Sequence, residues 1–405
     1  MNTPMVDLKA QYESIKEEIG QAVNRVIQNS QFILGPEVEA FEKAMASYLH
    51  VNYAIGVASG TDALHLALLA CGIGPGDEVI TTPFTFIATA ETIAKCGAKP
   101  VFVDIDSATC NIDPAKIKAL LTSRGKDISK IKAILPVHLY GHMADMEPIM
   151  ELAQQYGLKV IEDSAQSLGA LYCSQLSGSS FSSSKTEDVA ISKNKANWQQ
   201  SGTIGDAGCL SFFPSKVLGA YGDGGMVVTN DESIAAKTTL LRNHGCKQKY
   251  YHLIPGFNSR LDGLQAAILN VKLAHLDEWV SQRREKAMLY QQYLQPIEGI
   301  EPLEVALYTR HCFNYYTAQI DCTKINRNKL REHLTSQGIA TAVYYPLSLH
   351  LQEIFHHLDY KKGDFPVSEK AQDEVMSLPM YPELTGKQIE NIAKCIKNGL
   401  GSSQN

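Results

Sequence analysis

A lysine held between stiff, apolar neighbours can act as a nucleophile toward an aldehyde, because its amine is kept in one place. Lys216 has that setting. It closes the run Ser211-Phe212-Phe213-Pro214-Ser215-Lys216 and is followed by Gly219-Ala220-Tyr221-Gly222-Asp223-Gly224-Gly225. A lysine between a buried strand and a glycine-rich turn suits a Schiff base to an aldehyde cofactor. For pyridoxal 5'-phosphate, three further parts are needed: an acid for the ring nitrogen, a cup for the phosphate and a surface against the ring.

The chain offers a residue for each. Asp163 ends the apolar run of Val160-Ile161-Glu162-Asp163-Ser164-Ala165-Gln166, and a carboxylate beside a pyridine nitrogen keeps it protonated by opposite charge. Capping the next helix is the plainer role for such an Asp. Ser59-Gly60-Thr61-Asp62 follows a strand and opens a helix, so free backbone N–H groups there can hold an anion; many such pairs are only caps. Phe86, in Thr82-Pro83-Phe84-Thr85-Phe86, lies just beyond a strand's carboxyl end, where ligands gather in open α/β sheets. Phe84 reads as core.

Positioning these residues takes a sheet. Strand-like runs at Tyr53–Val57, Glu78–Thr82, Pro100–Asp104, Ala133–Val137 and Leu158–Asp163 alternate with amphipathic stretches, the first at Asp62–Cys71. That rhythm predicts an α/β protein with a large, mostly parallel sheet covered by helices. Cys209–Phe213 and Met226–Thr229 flank Lys216 and extend it. Beyond about Tyr250 come a long helical region over Leu261–Leu294, a strand at Tyr315–Asp321 and helices at Arg327–Gly338 and Gly386–Leu400. This gives a large domain over 1–250 and a smaller C-terminal α+β domain over 251–405. A serine-rich segment, 173–201, interrupts the pattern; it reads as a surface loop or a lid over the site, with Trp198 as an anchor.

Composition narrows the function classes. A chain of 405 residues, 44% hydrophobic, buries a full core. The net charge of -6 with both signs dispersed gives no stripe for nucleic acid or an anionic membrane. No run approaches the roughly 18 apolar residues of a membrane span, and the start shows no signal peptide, so a cytoplasmic enzyme is expected. Nine scattered cysteines without a Cys-x-x-Cys pair imply reduced thiols and no metal site.

Together, Ser59-Gly60-Thr61-Asp62-Ala63-Leu64, Pro83-Phe84-Thr85-Phe86, Glu162-Asp163-Ser164-Ala165-Gln166, Ser211 to Lys216, Gly222-Asp223-Gly224-Gly225 and Asn258-Ser259-Arg260-Leu261-Asp262 resemble the DegT/DnrJ/StrS aminotransferases. The resemblance runs from Asp7-Leu8-Lys9 to Leu378-Pro379-Met380-Tyr381-Pro382. It implies the type I pyridoxal phosphate aminotransferase fold, a homodimer with shared active sites, and transfer of an amino group from L-glutamate to a keto group of a nucleotide-linked sugar. On that resemblance Lys216 is the Schiff-base lysine, Asp163 the partner of the ring nitrogen and Gln166 a donor near the ring hydroxyl. Gly60, Thr61 and Ser211 hold the phosphate, Asn258 reaches in from the other subunit, and Phe86 stacks on the ring. Arg260, Tyr344 and Tyr345 match positions that touch the nucleotide-sugar. Two features depart from the pattern: the 173–201 insertion, and Tyr315 where many members carry glutamine. A sugar dehydratase of the same fold would place histidine at the position of Lys216, and a cofactor-binding regulator without turnover would need none of the catalytic positions filled.

Overall fold

The computed structural model describes residues 2–177 and 197–401. The sheet that carries the site is assembled from short strands that are apolar on both faces, as a sheet covered by helices on each side requires. Its strands are β1 (Tyr53–Val57), β2 (Glu78–Thr81), β3 (Lys99–Phe102), β4 (Ile131–Ile134), β5 (Lys159–Asp163), β8 (Ala207–Ser211) and β9 (Gly225–Thr229). In space they run β1-β9-β8-β5-β4-β2-β3. All pairings from β3 through β8 are parallel, and β9 alone runs against its neighbours β1 and β8.

Helices on the sheet follow from their stripes. α3 (Gly60–Ala70) buries Ala63, Leu64, Leu66, Ala67 and Leu68 and is capped by Ser59, whose hydroxyl accepts from the Asp62 N–H at 3.1 Å. α4 (Ile87–Lys95) enters directly from Phe86. The chain begins with α1 (Leu8–Asn29) and α2 (Pro36–Leu49), both packed on the helix Gly263–Leu273.

The expected helical region over Leu261–Leu294 is two helices, Gly263–Leu273 and Leu276–Leu294, parted at Ala274 and His275. The first carries Ala266 and Leu269 into the core of the large sheet, alongside Leu261. A second core starts at Ala287 and closes around an antiparallel sheet, β12 (Ile300–Pro302), β14 (Tyr316–Ile320) and β15 (Val375–Leu378).

A third sheet joins β13 (Thr309–Arg310), β6 (Leu171–Tyr172) and β7 (Gln199–Gln200). It fastens both described ends of the serine-rich segment, and Trp198 lies under the Arg310 guanidinium at 5.6 Å. Residues 178–196 of that segment lie outside the described residues. All nine cysteines are unpaired. Among the described residues no helix is long and apolar enough to cross a membrane.

Candidate active site

β5 delivers two carboxylates to opposite faces of the sheet, because successive strand side chains alternate. Glu162 is fully buried and saturated: Oε1 accepts from the N–H groups of Ile204 and Gly205 at 2.7 Å each, and Oε2 lies 2.8 Å from His138 Nε2 and accepts from the Gly202 N–H at 3.1 Å. Asp163 faces the other way and is also buried. Its Oδ2 accepts from the Thr89 hydroxyl at 2.8 Å and its Oδ1 from the Ala165 N–H at 3.2 Å. Burial pushes the Asp163 carboxyl above the usual carboxylate range, against the Thr89 hydroxyl, the Ala165 N–H and the charge of Lys216. A carboxylate so placed is short of positive charge.

Lys216 is half-buried on the loop after β8, and its N–H closes a turn onto the Phe213 carbonyl at 2.9 Å. Only one of the two preceding rings is core. Phe212 packs edge-on against Phe41 with centroids 5.3 Å apart, whereas Phe213 is 52% exposed. The pair straddles the rim of the sheet.

Across the strand ends, the start of α3 lies against β8. A Cβ on Gly60 would come within 2.6 Å of the Ser211 Cβ, and one on Gly225 within 2.2 Å of the Ser59 carbonyl oxygen. Only glycine permits both approaches. The N–H groups of Gly60 and Thr61 belong to the first turn of α3, where no intrahelical acceptor exists. Ser211 Oγ accepts from the Phe213 N–H at 3.3 Å, on the loop that carries Lys216.

The third wall is aromatic. Phe86 is 54% exposed and tilts against Tyr345, centroids 6.1 Å apart, while Phe84 is fully buried behind it. Gln166 binds through both ends of its amide: Oε1 accepts from the Tyr140 N–H at 2.7 Å and Nε2 donates to the Tyr345 hydroxyl at 3.0 Å. Tyr140 also donates to the Tyr344 carbonyl, and the Tyr344 ring lies tilted against Tyr315, centroids 4.2 Å apart. Asp163, Gln166, Phe86, Tyr345 and Lys216 thus converge, with Gly60, Thr61 and Ser211 at the adjoining strand ends.

Arg260 and Asn258 flank Ser259, whose hydroxyl donates to Asp62 Oδ2 at 2.8 Å beside the start of α3. Arg260 Nη1 donates to Asn243 Oδ1 at 3.0 Å, and Asn258 is exposed and bridges to Asn243. Two residues without a sequence signal join the site, Thr89 and Tyr140. Thr89 lies inside a helix, and Tyr140 is held at φ +61 by contacts that only the folded chain brings together.

Backbone donors, a buried acid, a lysine loop and an aromatic wall meet at the carboxyl edge of a parallel sheet, where α/β enzymes bind their ligands. The DegT/DnrJ/EryC1/StrS aminotransferase family profile matches residues 13–397, and the chain belongs to that family. It is 48% identical over 400 residues, 98% of each chain, to a pleiotropic regulatory protein of Geobacillus stearothermophilus. It is 43% identical over 397 residues, again 98% of each, to the UDP-N-acetyl-3-dehydro-alpha-D-glucosamine 3-aminotransferase of Acidithiobacillus ferrooxidans. The structure superposes on S. venezuelae DesV, solved in complex with a ketimine intermediate, with a TM-score of 0.88 at 37% identity over 98% of both chains. The fold is that of the pyridoxal-phosphate-dependent aminotransferases of this family.

Proposed function

We propose that this chain is a pyridoxal 5'-phosphate-dependent transaminase that moves an amino group from L-glutamate to a keto group of a nucleotide-linked sugar, in aminosugar biosynthesis. The observation that carries the reading is Asp163, a buried carboxylate that accepts from the Thr89 hydroxyl and the Ala165 N–H and, among the described residues, forms no ion pair. A pyridinium N–H supplies the missing charge, so the residues fit this cofactor.

In the proposal Asp163 faces the ring nitrogen and Phe86 covers the ring. The first-turn N–H groups of Gly60 and Thr61, with the Ser211 hydroxyl, hold the phosphate. Gln166 has one amide hydrogen on Tyr345 and a second for the ring hydroxyl. When bound, the cofactor supplies an electron sink for the charge left as a proton departs from the amino donor's α-carbon. Lys216 Nζ tethers the aldehyde in the resting enzyme, and as a free amine takes that proton and returns it. Tyr344 and Tyr345 line the sugar side.

Arg260 serves the nucleotide part, and Asn258, exposed in a single chain, serves the phosphate of a second copy in a homodimer. The exposed Phe213, Tyr250, Tyr251 and Leu253 support such a pairing. A division into a larger cofactor unit and a smaller C-terminal unit belongs to the same proposal, and the second core beginning at Ala287 supports it. The name of the 43% identical relative supports a 3-keto sugar on a nucleoside diphosphate as the acceptor.

Borohydride reduction followed by peptide mass analysis tests the proposal: the cofactor adduct is expected on Lys216 alone, and Lys216→Ala is expected to lose both adduct and turnover. The name of the 48% identical relative describes a regulator. Loss of the visible cofactor band on adding glutamate marks an enzyme; a band that glutamate leaves unchanged, in protein carrying the adduct, would overturn the transaminase reading.

A further inference from the structure

Resting on that reading, we infer that Thr89 is a positioning residue for the reaction: its hydroxyl, oriented by Thr85, donates to Asp163 and holds that carboxylate aimed at the cofactor's ring nitrogen. Thr89 Oγ1 lies 2.8 Å from Asp163 Oδ2 and 2.9 Å from Thr85 Oγ1, and both threonines are buried. A carboxylate oxygen only accepts, so the Thr89 proton points to Asp163 and the Thr85 hydroxyl donates to Thr89. The chain of hydroxyls has one direction, and each bond polarises the next.

A helical threonine ordinarily returns its hydroxyl to the carbonyl four residues back. Thr92, one turn further along α4, does so, donating to the Ala88 carbonyl at 2.8 Å. Thr89 gives up that local bond for a partner 74 residues away. Among the groups that oppose the effect of burial on Asp163, its hydroxyl is the strongest, ahead of the Ala165 N–H and the charge of Lys216. The other ionisable groups facing Asp163 are Cys209 on β8 and Tyr345, and burial pushes both up, so neither adds charge at neutral pH. The helix that starts at Phe86 therefore also sets the acid: one turn of chain fixes the ring surface and the charge opposite the ring nitrogen.

The test is the pH midpoint of the cofactor's visible band in substrate-free holoenzyme, compared between wild type, Thr89→Val and Thr89→Ser. Thr89→Val deletes the hydroxyl at constant shape. A less ionised Asp163 leaves the ring nitrogen less protonated, the lysine linkage then holds its proton more tightly, and the midpoint should rise by roughly one unit. Thr89→Ser, which keeps the hydroxyl, should stay with wild type. Thr85→Val should move the midpoint in the same sense by less. If Thr89→Val fails to fold in a melting control, Thr89→Ala carries the same expectation. A Thr89→Val midpoint equal to wild type overturns the inference while leaving the transaminase reading intact. Wild-type protein with no Lys216-linked band overturns the reading and this inference with it.

Discussion

Asp104, beyond the carboxyl end of β3, accepts from the Ser368 N–H at 2.9 Å and from the Ser368 hydroxyl at 2.5 Å, across 264 residues of chain. Its second oxygen accepts from the Val367 N–H at 3.0 Å. The helix Pro366–Glu374 begins after Phe365, which has no side-chain acceptor, so Asp104 caps it from another element.

That relationship carries a pH signature. Burial raises the Asp104 carboxyl, but the Ser368 hydroxyl and the N–H groups of Val367, Ser368 and Ile105 outweigh it and hold the group below its ordinary 3.8. A depressed acid contributes its full stability above the unfolded value and loses it as pH falls through the folded one. Asp104→Asn should lower stability by on the order of 2 kcal/mol at pH 7. The gap to wild type should close below pH 3.8; urea unfolding at the two pH values measures it.

Glu162→Gln should be costly without touching the site face. The carboxylate accepts three backbone N–H groups and His138 Nε2. An amide must turn its NH2 toward two of these donors. His138 cannot adapt by changing tautomer, because its Nδ1 accepts from the Ala144 N–H at 3.1 Å. A loss on the order of 2–4 kcal/mol is expected, read as a fall in melting temperature. A variant melting with wild type would show that the loop 202–205 does not depend on this charge.

Much of the sheet was legible because its strands are apolar runs bounded by turns. β1 is found at its expected limits, and β2, β3, β5, β8 and β9 within two residues. β3 and β4 begin and end earlier than their apolar runs, since Val103, Leu135 and Val137 are buried in the loops that follow. α1 shows no alternation with a strand and is largely polar; its buried stripe, Ile15, Ile19, Ala22 and Val26, faces helices. Lys216, Asp163 and Gly60 stand out because strand ends and glycines mark them. Thr89 does not, because nothing in a helix signals that a threonine has given up its own carbonyl.

Gly60→Ala should separate folding from cofactor retention. The added methyl meets Ser211 Cβ at 2.6 Å and Cα at 3.1 Å, so the start of α3 and the end of β8 must part where the phosphate is proposed to sit. Alanine is a good residue within a helix, so the fold should survive. Titration of apoprotein with pyridoxal phosphate should show affinity about tenfold or more weaker. Gly74→Ala is the control, since a Cβ there meets nothing within 4 Å. Equal affinity of the two variants would remove the phosphate from this turn.

Lys272 gives the opposite pH signature to Asp104. Its ammonium is fully buried, donates to the Gly219 carbonyl at 2.6 Å and sits 4.4 Å from the Tyr221 ring, on the loop that follows Lys216. Among the described residues no carboxylate forms an ion pair with it; burial brings it down to about 8 from 10.5, with the charge of Glu383 opposing. Between those values the unfolded chain holds a proton that the folded chain has released, so this group's contribution to stability rises with pH. Lys272→Met cannot titrate. Its difference in unfolding free energy from wild type should therefore move in favour of wild type from about pH 8 upward, by up to about 3 kcal/mol. Tyr221, pushed up to about 12 by burial, stays neutral throughout that window. Urea unfolding of both proteins at half-unit steps measures the difference, and parallel curves would mean that Lys272 keeps its proton inside the fold.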